Sequence, residues 1–113
     1  MSLDRFAAQP VARSPQVFFE RRELDTILRV YGRMVAAGEW RDYAIGGGED
    51  CAVFAVFRRA SEEPLYRIEK RPALARRQGA WAVIGSGGHV IRRGHELAQV
   101  LKAFESRKLR VVD

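Results

Sequence analysis

A single cysteine, Cys51, rules out any disulfide within the chain, so its fold must be held by packing and hydrogen bonding. The lone thiol reads as a small apolar side chain and agrees with a reducing compartment. Histidine is nearly as scarce. His89 and His95 have no third nitrogen or thiol at metal-site spacing beside them, and zinc takes three or four firm ligands, so no metal is expected. No apolar run approaches the roughly 18 to 20 residues of a membrane span. The opening stretch "MSLDRFAAQPVARSPQ" lacks the continuous apolar core of a secretory signal. The expectation is a cytoplasmic protein with no membrane partner.

Catalytic and cofactor motifs are missing as well. A P-loop needs its glycines to run into Lys and then Ser or Thr at a helix start, and a dinucleotide fold needs strand, glycine turn and helix. "GGGED" and "GSGGHVIRRG" meet neither requirement and read as hairpin turns between strands. Ser61 and Ser86 sit in turns rather than at a strained strand-to-helix elbow, and Glu62, Glu63 and Glu69 read as solvated charge. No catalytic residue and no cofactor is assigned, and the expectation is a protein that is not an enzyme.

What the chain does have is one domain's worth of apolar residues, 47% of 113. Residues 1–15 carry Pro10 and Pro15 without any sustained period and read as a flexible tail, which leaves residues 16–113 as the single domain. In "VFFERRELDTILRVYGRMVAAG", Leu24, Ile27, Leu28, Tyr31, Met34 and Val35 recur at helical steps. Glu20 and Glu23 have capping-box spacing, Phe19 and Leu24 staple spacing, and Gly38 supplies a left-handed stop. Gly32, costly inside a helix, is read as a mark of close packing.

From Trp40 the period turns toward two. "WRDYAI", "CAVFAVFRR", "LYRIEKR", "GAWAVI" and "HVIRR" read as strands broken by glycine-rich turns and by "ASEEP". "GHELAQVLKAFE" then gives a second helical stripe through Leu97, Val100, Leu101 and Phe104, and "KLRVV" a short closing strand. The fold class is α+β: a two-layer domain with a mostly antiparallel sheet of about five strands and two amphipathic helices on one face. The second strand is apolar on both sides, with Val53, Ala55 and Phe57 opposite Ala52, Phe54 and Val56, so the uncovered face is expected to be apolar.

Charge is distributed unevenly. The net charge is +6, yet residues 1–57 carry seven Arg and eight acids, while residues 58–77 carry seven basic and three acidic groups. Such asymmetry steers an anionic partner to one surface. The stretch "PLYRIEKRPALARRQGAW" sets basic groups between Tyr66 and Trp81. The candidate anion-binding set is Arg67, Lys70, Arg71, Arg76, Arg77, Arg92, Arg93 and His95, the last facing a helix N-terminus. Tyr66 and Trp81 are candidate stacking platforms for unpaired bases, although their alternating patterns favour the core. Glu69, between Arg67 and Arg71 on one side of the strand, is expected to neutralise part of that charge.

"VYGRMVAAGEWRDYAI", "PLYRIEKRPALARRQGAW" and "RRGHELAQVLKAF" resemble a family of small alphaproteobacterial proteins classed as a domain of unknown function. The resemblance spans roughly residues 17–112. It implies one domain in a bacterial cytosol, and carries no activity, cofactor or site residue. The functional expectation is a non-enzymatic binding module for an anionic polymer, nucleic acid, contacted through an Arg-rich sheet edge. The alternative is an interaction or regulatory domain that forms a homodimer or docks a protein partner through an apolar sheet face.

Overall fold

A computed structural model of the chain describes residues 16–59 and 63–112. The expected tail, residues 1–15, and Ser61 and Glu62 of the expected "ASEEP" turn lie outside the described residues.

Helix α1 spans Arg21–Ala36. Its start closes as the spacing predicts, with the Glu20 N–H donating to Glu23 Oε1 at 2.7 Å. Its end is set by Gly38 at φ 80°, where the Gly38 N–H reaches the Val35 carbonyl. The chain then runs through a five-stranded antiparallel meander: β1 Asp42–Gly47, β2 Ala52–Phe57, β3 Tyr66–Lys70, β4 Trp81–Gly85 and β5 Val90–Gly94. Spatial order equals chain order, so every connection joins neighbours. Gly87 and Gly88, at φ 95° and 93°, make the turn between β4 and β5 that an L side chain would strain. Helix α2, Leu97–Val112, follows.

The expected closing strand is not formed: residues 108–112 continue α2. No glycine or proline interrupts the chain from Leu97 onward, and Leu, Lys, Arg and Glu favour helix, which outweighs the β preference of the final valines. Gly32 is also not a packing site, since a Cβ there would meet nothing within 4 Å.

Both helices lie on one face of the sheet. Ile27, Val30 and Met34 of α1 and Val100, Leu101 and Phe104 of α2 close over Phe54, Val56, Ile68, Trp81 and Val83. Trp40, in the link from α1 to β1, caps this core against Phe104, with ring centroids 4.9 Å apart and planes at 89°. Each helix is about 10 Å wide and so covers roughly two strands spaced about 4.8 Å apart. α2 contacts β4 and β5, and α1 sets Tyr31 edge-on against Phe54 of β2. The fifth strand, β1, is left at the margin with every residue exposed.

Ahead of α1, the segment Val17–Phe19 crosses the sheet on the helix side. The Val17 N–H donates to the Gly48 carbonyl, the Phe18 carbonyl accepts from Lys70 Nζ, and Phe19 stacks on Trp81 at 6.2 Å. Gly47 permits the crossing, because a Cβ there would lie 2.7 Å from the Val17 carbonyl oxygen. No helix among the described residues is long and apolar enough to cross a membrane.

Candidate functional site

Register decides which candidate residues can act together. Across β2, β3 and β4, Arg67 lies between Ala55 and Ile84, and Glu69 between Val53 and Ala82. Arg93 of β5 is the next neighbour of Ala82. All of these positions belong to the face that neither helix covers.

On that face Glu69 sits between two arginines. Its carboxylate accepts from Arg71 Nε at 3.3 Å and lies 3.5 Å from a terminal nitrogen of Arg67. Glu69 is buried, while the side chains of Arg67 and Arg71 remain 36% and 38% exposed. The pairs therefore orient the guanidinium groups without withdrawing them from solvent. Arg93 donates to the Gly79 carbonyl at 3.4 Å, a long contact that leaves most of its donors free.

The face is not the bare apolar surface that the alternation of β2 predicts. Ala82 and Ile84 are buried although no helix lies over them. Their cross-strand neighbours include Arg67 and Arg93, both half-buried themselves.

Arg76 and Arg77 are exposed in the connection from β3 to β4, at the end of the sheet where Arg71 leaves β3. His95 stands before α2 rather than in its first turn, with Nδ1 3.1 Å from the Ala75 carbonyl oxygen in that same connection. Arg67, Arg71, Arg76, Arg77, Arg93 and His95 thus gather on the open face and at one end of it.

The remaining candidates are turned away. Arg92 pairs with Val83, a core residue, and so lies on the helix side of β5. Lys70 has the same parity: its ammonium lies 2.7 Å from Glu23 Oε1 and 2.8 Å from the Phe18 carbonyl oxygen, with the Trp81 ring 5.8 Å away. Trp81 is buried beneath Phe19, and Tyr66 packs edge-on against Phe104 at 5.1 Å. Neither ring offers a free face to a base on the open side of the sheet.

Sequence reasoning missed an open cleft of about 410 Å³ beside Arg71, lined by Gly46, Gly48, Glu49, Asp50, Cys51 and Val53. The pairing of "GGGED" with a basic strand end was not legible before the register was known. Cys51 is half-buried at its wall rather than in the core, and neither histidine lines it. Among the described residues, no three His, Cys, Asp or Glu side chains gather as a metal site requires.

A family model described as "Protein of unknown function (DUF2794)" matches residues 17–101. No curated protein and no solved structure matches the chain.

Proposed function

We propose that this chain, which belongs to the DUF2794 family of proteins of unknown function, is a binding module for nucleic acid that works through the helix-free face of its sheet. The observation that carries the reading is the buried carboxylate of Glu69 holding Arg67 and Arg71 side by side on an exposed face. Guanidinium forks fixed in this way lose less freedom on meeting a phosphate, and each keeps further N–H donors for it. Arg93 extends the positive surface across the strands, and Arg76 and Arg77 extend it past the sheet end.

The ligand is held by its phosphates rather than by its bases, because Tyr66 and Trp81 face the core. Binding is then indifferent to sequence and falls steeply with salt. A nucleic-acid ligand and a lone thiol, Cys51, both fit a reducing cytosol.

Fluorescence anisotropy of labelled single-stranded and duplex oligonucleotides, at about 50 and 200 mM salt, tests the reading. Support requires a dissociation constant tighter than the roughly 10⁻⁴ to 10⁻⁶ M of ordinary non-specific binding at physiological salt. Arg76→Ala combined with Arg93→Ala, neither of which pairs with Glu69, should weaken binding and reduce the salt slope by about 1 to 2. No binding at the lower salt, or a slope unchanged in the double variant, rejects the proposal.

A further inference from the structure

The two edges of the sheet differ in a way that the nucleic-acid reading does not use. β5 is guarded: it carries Arg92 and Arg93, and its pairing slips between Val83 and Ile84. Charges and irregular pairing are the usual devices that stop an edge from joining another sheet. β1, "DYAIGG", has no lysine, no proline and no such slip, and all its residues are exposed.

Among the described residues, β1 also offers free backbone. The Gly48 N–H donates to the Cys51 carbonyl at 2.9 Å, and antiparallel pairs alternate, so Asp42, Ala44 and Gly46 turn their backbone groups toward β2. The N–H and C=O groups of Tyr43, Ile45 and Gly47 therefore point away from the sheet. Beside them is an apolar strip on the helix side: Tyr43 is 45% exposed, Ile45 48% and Phe18 65%. Phe18 belongs to this strip because its ring lies 3.8 Å from where a Gly47 Cβ would be.

We propose that two copies of this chain associate through β1, antiparallel about a two-fold axis at Ile45. In that register Ile45 meets Ile45 of the other copy, and Tyr43 of each copy lies opposite Gly47 of the other, next to its exposed Phe18. Every outward N–H and C=O of Tyr43, Ile45 and Gly47 gains a partner. An axis at Ile45 also brings Arg41 of each copy, just before β1, toward Glu49 of the other, in the turn just after it, an opposite-charge approach made twice. The two five-stranded sheets become one continuous sheet, and β1 ceases to be an edge.

Sedimentation equilibrium of the full chain between roughly 1 and 100 µM tests the proposal. The expected result is a monomer–dimer equilibrium that Ile45→Lys, at an exposed position, shifts to monomer without changing the denaturation midpoint measured at concentrations where the wild type is itself monomeric. Arg41→Glu should weaken the dimer about tenfold, and adding Glu49→Arg should restore it, as only a facing pair can. A wild-type chain that remains monomeric at the highest concentration overturns the proposal, whether β1 is then covered by residues 1–15 or by another protein. A dimer indifferent to Ile45→Lys, or one that the double reversal does not restore, overturns it equally.

Discussion

The Lys70 ammonium lies 2.7 Å from Glu23 Oε1, an ion pair that ties β3 to the first turn of α1 across 47 residues of chain. The same nitrogen donates to the Phe18 carbonyl, so one side chain fixes both the helix and the segment leading into it.

Lys70→Ala should therefore act on stability rather than on ligand. Both partners are largely buried, and removal takes away a charge-assisted hydrogen bond to Glu23, a loss of about 1.5 to 3 kcal/mol. Chemical denaturation should show it, while oligonucleotide affinity at matched folded concentration stays unchanged. A variant that binds more weakly with unaltered stability would return Lys70 to the ligand surface.

Glu69 makes the opposite prediction. Glu69→Gln weakens the charged hold on Arg67 and Arg71 on which the binding reading rests, and low-salt affinity for single-stranded DNA should fall by about three- to tenfold. Anisotropy titrations decide the matter. A rise in affinity would mean that the charge Glu69 cancels outweighs its orientation of the two guanidinium groups.

Two glycines should respond in opposite directions. Gly32 lies exposed within α1 with open space where a Cβ would sit, so Gly32→Ala should stabilise by about 1 kcal/mol. Gly79 has φ 107°, and a Cβ there would fall 2.2 Å from the Gly94 backbone, so Gly79→Ala should cost more than about 2 kcal/mol. Thermal melts of the pair give both signs in one experiment.

Tyr31 makes stability depend on alkaline pH. Burial, then the Asp42 carboxylate and Tyr43, hold its phenol above the ordinary 10.0, and its hydroxyl donates to the Arg41 carbonyl at 2.8 Å. The fold favours the neutral phenol, so this contribution is complete below the unfolded value near 10 and is lost as pH rises through the folded value. Ultraviolet titration should lose a late-ionising phenol in Tyr31→Phe, a change that costs about 0.5 to 1.5 kcal/mol at neutral pH.

These contacts also show what the sequence could convey. Periodicity placed both helices, because Ile27, Met34, Val100 and Phe104 recur at helical steps whatever they pack on. Glycine clusters placed the hairpins. Alternation put Tyr66, Ile68 and Lys70 on one side of β3 and Arg67 and Glu69 on the other, and the register agrees. Alternation is blind to which of the two sides receives the helices, however, so Lys70 stands among the anion-binding candidates with Arg67, and Tyr66 and Trp81 stand as stacking candidates although their patterns favour the core. The shared carboxylate of Glu69 was legible from its place between two arginines, but the reading of it as solvated is corrected by its burial in the sheet; the cleft beside Arg71 was not legible, because it needs β1, β2 and the end of β3 in one place.

The crossing of Val17–Phe19 over the sheet bears on how the chain is made. The meander assembles from hairpins between successive strands, but Phe18 meets Lys70 across 52 residues and Phe19 meets Trp81 farther still. During synthesis α1 leaves the ribosome before any strand that it covers. Its apolar stripe stays unsheltered until β2 and β3 have emerged, so a segment translated ahead of the sheet finds its place only after it.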